Sequence, residues 1–164
     1  MIKKLSSTYL RDIDKYVYSL YKYNDYCIVV KKILQIKTPF ILNEEGENIT
    51  LIDNNYYILE YVPFYENYIC RFHIDDNLNI VERFYIASLN NYIEDGIPMY
   101  EDLKLSYVCT SKINKLYNQD IIESILNDDE KAIAYKAIKK IQMEISNKNN
   151  FAYNLDYKKY LVEE

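Results

Sequence analysis

The sequence predicts a mainly β, α+β fold: an antiparallel β-barrel of about seven strands, C-terminal helices packed on it, and a short N-terminal helix. Runs of β-branched and aromatic residues recur at regular intervals between residues 26 and 117, which is typical of strands. Turn residues separate these runs, and no helical period lies among them. Beyond Asp120 the apolar residues recur at helical spacing, which places the helices after the sheet.

Residues 1–25 are predicted to form an N-terminal helical extension. They are polar and rich in tyrosine, and Leu10, Ile13, Tyr16, Val17 and Leu20 recur at helical spacing. We therefore expect a short amphipathic helix that packs on the main domain, which comprises residues 26–146.

The predicted strands are the runs in which β-branched and aromatic residues dominate. Turn signals separate them, for example the acidic Glu94-Asp95 pair followed by Gly96. The predicted strands are Tyr26–Thr38, Asn48–Asp53, Tyr56–Pro63, Asn67–Asp75, Asn79–Ser88, Leu103–Thr110 and Ile113–Tyr117. Short strands at such regular spacing favour an antiparallel sheet that closes as a barrel.

Two helices and a tail are predicted after the sheet. The first covers Ile121–Leu126, and the second begins with Asp128 as its N-cap because acidic residues follow in its first turn. The apolar stripe of the second helix consists of Ala134, Ala137, Ile138, Ile141 and Ile145. Residues 147–164 are expected to be a loosely docked or frayed tail, with anchoring by its aromatic residues as the alternative.

Charge and aromatic content limit the classes of partner. The chain has 164 residues, a net charge of -5 and scattered basic residues, which argues against a protein that binds nucleic acid duplexes. A small anionic ligand remains compatible with a few well-placed Lys or Arg side chains. The 20 tyrosines fit either a stacking platform for bases or half-buried strand residues, and both interpretations stay open.

The cysteines and the N-terminus indicate a cytoplasmic protein. Cys27, Cys70 and Cys109 are far apart, lie among apolar residues and show no metal-ligand spacing, so we expect free buried thiols. The sequence contains neither a signal-peptide pattern nor an apolar run long enough to span a membrane. We therefore expect a soluble protein with no membrane partner, and its oligomeric state stays open.

Histidine and glycine residues give little support to common catalytic motifs. His73 is the only histidine, and strand alternation places it on one face with Arg71 and Asp75. This fits either a general base or an ordinary half-buried side chain. Gly46 and Gly96 are the only glycines, which excludes Walker and Rossmann fingerprints.

Acidic residues remain as candidates for metal chemistry. Catalysis by Mg²⁺ or Mn²⁺ on phosphates needs several carboxylates that converge on one spot, and alternate strand positions can supply them. Alternation from Asp102 gives Lys104 and Ser106, so only the first of these positions is acidic. The alternative interpretation is a solvated acidic edge near the turns.

Three segments together resemble a known family. They are Tyr85-Ile86-Ala87, the segment 96–106 (GIPMYEDLKLS), and the segment 117–122 (YNQDII). In order and spacing they resemble the bacterial domain-of-unknown-function family 402. Its characterised members are nucleoside di- and triphosphatases and a cytidylyl hydrolase of fosfomycin biosynthesis. The resemblance covers roughly residues 25–145 in order and pattern, and it implies an antiparallel barrel with C-terminal helices.

The resemblance also implies a metal site that this chain has partly lost. The metal-binding positions of the family fall on Ala87, Asp102, Lys104, Ser106, Asn118 and Asp120. Only Asp102 and Asp120 are carboxylates, and Asn118 offers a neutral oxygen, so these three are the predicted ligands of a weakly bound Mg²⁺ or Mn²⁺. Asp102, Asp120 and the neighbouring Glu101 are the predicted catalytic residues. Asn90 or Asn91 is a possible substitute for the ligand missing at Ala87.

Three hypotheses about function follow. The first, which we favour, is a divergent family member that binds a nucleotide or a partner with weak or no catalysis. The second is an active Mg²⁺- or Mn²⁺-dependent nucleoside phosphate hydrolase with a rearranged site around Asp102, Asp120 and Glu101. The third is a non-catalytic interaction module that meets another protein through its tyrosine-rich surface.

Overall fold

Ten strands and two α-helices make up the described part of the computed structural model, which covers residues 3–5, 13–44 and 46–161. The strands are β1 (Lys3–Leu5), β2 (Ile13–Lys22), β3 (Tyr26–Ile36), β4 (Phe40–Glu44), β5 (Glu47–Ile52), β6 (Tyr57–Pro63), β7 (Tyr68–Ile74), β8 (Ile80–Glu94), β9 (Ile97–Cys109) and β10 (Asn114–Tyr117). The helices are α1 (Gln119–Ile125) and α2 (Asp128–Ser146), and a 3-10 turn follows at Tyr157–Tyr160. Neither α-helix of this part is long and apolar enough to cross a membrane.

One antiparallel sheet organises the chain. Its strand order is β1-β9-β8-β7-β6-β3-β2, and β10 pairs with β9 as well. Strands β4 and β5 form a separate hairpin. All seven segments predicted as strands between residues 26 and 117 are strands, which confirms the mainly β, α+β class. Strands β8 and β9 are longer than predicted because they continue to the turn at Asp95-Gly96 and form one long hairpin.

The sheet curves without closing by strand pairing. The Tyr18 hydroxyl on β2 donates a hydrogen bond to the Gly96 carbonyl at 2.6 Å, so edge strand β2 lies against the β8–β9 turn. Within residues 3–5, 13–44 and 46–161, however, β2 pairs only with β3. The predicted barrel is therefore an open sheet in the described part of the chain, in which the Tyr18 side chain of edge strand β2 contacts the β8–β9 turn.

The predicted N-terminal helix is wrong for Ile13–Lys22. This segment is strand β2, which pairs with β3 from Lys22 opposite Cys27 to Ile13 opposite Ile36, with a register shift at Lys15. Most of its side chains are exposed or half-buried, since it forms an edge of the sheet. Tertiary pairing through a short turn has overridden the helical spacing of a few apolar residues. Leu10 lies outside the described residues.

Helix α2 covers one face of the sheet. Its buried residues Ala134, Ala137, Ile138 and Ile141 belong to the predicted stripe, and most of them pack in the main core together with β6 and β7. The helix begins one residue earlier than predicted, because Asn127 is the N-cap. The Asn127 side chain accepts from the Glu130 N–H at 2.8 Å, and the Glu130 carboxylate accepts from the Asn127 N–H at 3.0 Å, which completes a capping box.

The segment after α2 is anchored through residue 161. Asn150, Ala152, Tyr160 and Leu161 are buried. The Tyr160 ring meets the Tyr21 ring edge-on at 4.9 Å, and its hydroxyl lies 3.0 Å from that of Tyr23. Anchoring by aromatic residues, the alternative to a frayed tail, is therefore what the structure shows for this part of the chain.

All three cysteines are free and buried, as predicted. Their burial predicts low reactivity toward thiol reagents. Burial raises the pKa of Cys27 and of Cys109 to about 12, and it raises the pKa of Cys70 well above its ordinary value. Because the thiolate is the reactive species, we expect almost no reaction of the folded protein with a thiol reagent at about pH 8. Reaction of all three thiols is expected in denaturant. Rapid labelling of the folded protein would contradict the burial.

Candidate functional site

The sheet face opposite α2, here called the inner face, carries a buried row of charged side chains. Lys31 of β3, Glu60 of β6 and Arg71 of β7 form this charged row, and each is at most 3% exposed. The Lys31 ammonium lies 3.4 Å from Glu60 Oε1, and the Arg71 guanidinium lies 3.7 Å from Glu60 Oε2. The guanidinium also donates to the Tyr100 hydroxyl at 3.3 Å. The row thus reaches from β3 to β9 across the sheet.

Strand alternation places the charged row between two apolar clusters. On β6, Ile58 belongs to one cluster and Val62 to the other, with Glu60 between them. The same order recurs on β3, where Lys31 lies between Ile33 and Cys27. Period-two alternation therefore puts these charges on one face, and neighbouring strands stack them side by side.

Burial sets the electrostatics of the inner face. It lowers the pKa of Lys31, while the adjacent Glu60 carboxylate acts in the opposite direction. It lowers the pKa of His73 to about 3, with a further contribution from the positive charge of Arg71. His73 is therefore neutral at physiological pH. It has little capacity as a general base, and the ordinary buried interpretation of this residue fits better.

A cleft of about 200 Å³ opens on the inner face beside β9 and meets the end of the charged row. We call it the β9 cleft. Its lining consists of Arg71, Phe84, Ile86, Tyr100, Asp102, Lys104, Ser106 and Asn118. Two cations, one carboxylate, two hydroxyls and an amide thus share one small cavity with an apolar wall.

A bulge in β9 builds the polar side of this cleft. Ile86 is paired with Ser106 and Ser88 with Asp102, so three residues of β9 lie opposite the single residue Ala87 of β8. Lys104, in the middle of this bulge, has a φ of 72°, which is the left-handed region that lysine seldom adopts. The backbone is therefore locally strained at the centre of the candidate site.

Three neighbouring side chains fix the Lys104 backbone. Asp102 Oδ1 accepts from the Lys104 N–H at 2.7 Å. The Ser106 hydroxyl and the Asn118 amide donate to the Lys104 carbonyl at 3.1 Å and 2.9 Å. The Asp102 Oδ2 atom lies 3.4 Å from the Lys104 ammonium. Four of the six positions that resemble the family's metal site are thus brought together, and the hydrogen bonds of Asp102, Ser106 and Asn118 converge on Lys104.

Other residues predicted for the site lie elsewhere. Asp120 is exposed in the first turn of α1. Glu101 precedes Asp102 on β9, so its side chain leaves the strand on the opposite side, where it accepts a hydrogen bond from Asn90. Ala87 is buried in the core beneath α2. The catalytic roles of Asp102, Asp120 and Glu101 stay predictions.

Neither asparagine proposed as a substitute for Ala87 lines the cleft. Asn90 contacts Glu101, and Asn91 is buried with its amide donating to the carbonyls of Pro63 and Tyr68 at 2.8 Å and 2.9 Å. Ser88 also donates to Asn91 Oδ1 at 2.7 Å. Asn91 therefore holds the β6–β7 turn against β8.

No sequence pattern indicated that Arg71 or Phe84 lines the cleft. Strand alternation predicts that Arg71 shares a face with His73, but it does not predict that Arg71 lies near β9. Its proximity to β9 depends on the register in which Arg71 lies opposite Phe84 and Phe84 lies opposite Val108. That register is a tertiary property.

The donor set of the cleft does not fit Mg²⁺ or Mn²⁺. Asp102 is its one carboxylate, and each of its oxygens contacts Lys104. Two fixed cations, Lys104 and Arg71, share the cavity, whereas hard divalent ions select several anionic oxygens. Among residues 3–5, 13–44 and 46–161, no group of three or more His, Cys, Asp or Glu side chains could hold a metal ion.

Comparison with known proteins identifies the fold. The sequence matches no family model and no curated protein sequence. The structure is similar to the complex of FomD with CDP, at a TM-score of 0.61 and 10% identity over 91% of this chain and 83% of FomD. It is also similar to the phosphatase SC4828 with the non-hydrolyzable nucleotide GPCP, at a TM-score of 0.60 and 10% identity over 84% of this chain and 76% of that one. The chain therefore shares its fold with two proteins solved with nucleotides.

Proposed function

We propose that this protein binds a nucleoside phosphate in the β9 cleft, with weak or no hydrolysis. The observation that carries the proposal is a cleft in which the Arg71 and Lys104 cations stand beside the hydroxyl of Ser106 and the amide of Asn118. Such donors recognise phosphate oxygens. The fold is one on which FomD and SC4828 carry CDP and GPCP, which supports a ligand of the same class.

The size of the cleft supports entry by the phosphate end of the ligand. Ordinary small-molecule pockets measure roughly 300–1,000 Å³. At about 200 Å³ the β9 cleft is smaller, so it has room for phosphoryl groups while the nucleoside lies at its rim. Phe84 is half-buried in the lining, and its ring is an apolar surface for the base.

The lining of the β9 cleft also supports weak or absent hydrolysis, because it holds few carboxylates. Hydrolysis of a phosphoric anhydride needs an activated water and stabilisation of the developing charge. Asp102 is the one carboxylate of the lining, and it is already paired with Lys104. Asp120 and Glu101 lie outside the lining, so the predicted catalytic set is not gathered around one point.

A panel of nucleoside mono-, di- and triphosphates tests this proposal. We expect at least one nucleotide to raise the melting temperature, and we expect little phosphate release with or without Mg²⁺ or Mn²⁺. Asn118→Asp should weaken binding by about tenfold, because it places a negative charge at the cleft. Asn77→Asp in the β7–β8 turn is the matched control and should bind normally.

Two results would contradict the proposal. If no nucleotide shifts the melting temperature, the cleft is not a nucleotide site. If Mg²⁺ or Mn²⁺ supports robust turnover that Asp102→Ala abolishes, the protein is an active hydrolase with a rearranged site.

A further inference from the structure

We infer that Lys104 is the built-in cation of the β9 cleft, so that this cleft takes the phosphate group of its ligand directly and without a divalent metal ion. This inference rests on the proposed function, because it names how the same cleft recognises its ligand. Its basis is the geometry around Lys104, the charges of the lining and the burial of the groups that surround it.

The Lys104 backbone is fixed in a conformation that has to be stabilised from outside. A lysine at a φ of 72° costs on the order of 1 kcal/mol relative to ordinary strand geometry. Asp102, Ser106 and Asn118 offset this cost with three hydrogen bonds to the Lys104 peptide. Side chains that line the cleft are thus used to place one lysine within it.

The ammonium group remains available to a ligand. The Lys104 side chain is 38% exposed, whereas the Asp102 side chain is 17% exposed. Lys104 Nζ lies 3.4 Å from Asp102 Oδ2, and an ammonium carries three N–H donors in all. The pairing limits the mobility of the side chain and leaves it donors for a phosphate oxygen.

The buried charged row adds positive charge at the inner end of the cleft. Arg71 reaches the cleft, so the lining holds two basic side chains, Arg71 and Lys104, against the single carboxylate of Asp102. The Asp102–Lys104 pair is neutral in sum. The cleft therefore presents an excess of positive charge to a ligand, although the whole chain is acidic.

Competition with a metal ion favours the same conclusion. A divalent ion bound to Asp102 would share both carboxylate oxygens with Lys104, and it would stand next to the cations of Lys104 and Arg71. A phosphate group is better matched, because the Lys104 ammonium, the Arg71 guanidinium and the Asn118 amide each carry more than one N–H donor. The cleft is suited to an anion with several oxygens.

Calorimetric titration with inorganic pyrophosphate, and with the best nucleotide of the panel, tests this inference. We expect the same affinity in EDTA as in Mn²⁺, and weaker binding as the salt concentration rises. Lys104→Asn should weaken binding by about tenfold to a hundredfold. Asparagine tolerates the left-handed region well, so the melting temperature of this variant should not fall. Lys104→Arg keeps the charge and should retain most of the affinity, and Lys139→Asn on α2 is the control for total charge.

The outcomes separate this inference from the proposed function. Nucleotide binding that disappears in EDTA overturns the metal-free cleft and leaves the proposed function standing. An equal loss of affinity in Lys104→Asn and Lys104→Arg, or no loss of affinity in either variant, also overturns the inference about Lys104. If pyrophosphate binds without metal and no nucleotide binds, the result supports Lys104 as the cation of the cleft and refutes the proposal that the ligand is a nucleotide. Absence of binding by every probe refutes both.

Discussion

Replacing Glu60 with glutamine is expected to lower the free energy of unfolding by about 3–5 kcal/mol, which is typical when one partner of a buried ion pair is removed. Glu60 lies between Lys31 and Arg71, 3.4 Å from the ammonium and 3.7 Å from the guanidinium. All three side chains are buried, so water cannot replace the lost carboxylate. Glutamine has nearly the same shape, so the change removes the charge without leaving a cavity.

Denaturant unfolding at neutral pH measures this effect. Glu47→Gln is the matched control, because Glu47 forms an exposed ion pair with Lys112, and such pairs contribute about 0–1 kcal/mol. Lys31→Met should lower the free energy of unfolding less than Glu60→Gln does, since Glu60 and Arg71 would still pair. If Glu60→Gln is no more destabilising than Glu47→Gln, the buried charged row does not contribute to stability in the way argued.

The fold was predictable from sequence where local composition and tertiary pairing agree. Strands β3 and β6–β9 contain β-branched and aromatic runs that strand pairing then buries, so propensity and burial point the same way. Ile13–Lys22 shows the opposite case. An edge strand buries few of its side chains, so it lacks clean alternation, and chance helical spacing of a few residues was misleading.

The candidate site was predictable in part, along β9 and at Asn118, which precedes α1. Asp102, Lys104 and Ser106 share a face of β9 because their positions alternate, and the family resemblance marked these positions. The contribution of Arg71 depends on the register of β7, β8 and β9, which sequence patterning does not specify. No sequence pattern indicated the left-handed conformation of Lys104 either. It belongs to a bulge in which three residues of β9 lie opposite one residue of β8, and that pairing is a tertiary property.

The second large effect expected is a loss of stability below about pH 6.5, caused by His73. Burial, together with the neighbouring Arg71, lowers the pKa of His73 from 6.5 to about 3 in the folded protein. Glu82 of β8 lies opposite His73 in the sheet register, and the backbone of Leu51 opposes only part of this lowering of the pKa. Above pH 6.5 neither the folded nor the unfolded chain protonates this ring, so the stability is fully present.

As the pH falls below 6.5, the unfolded chain takes up a proton that the folded protein does not, and the free energy of unfolding decreases down to about pH 3. The slope approaches about 1.4 kcal/mol per pH unit, so about 2 kcal/mol should be lost between pH 6.5 and about pH 5. Denaturant midpoints of the wild type and His73→Gln at both pH values measure this loss. His73 is the only histidine, so carboxylate titration is common to both proteins and cancels in the comparison. If His73→Gln loses as much stability as the wild type over this range, the buried ring is not the cause.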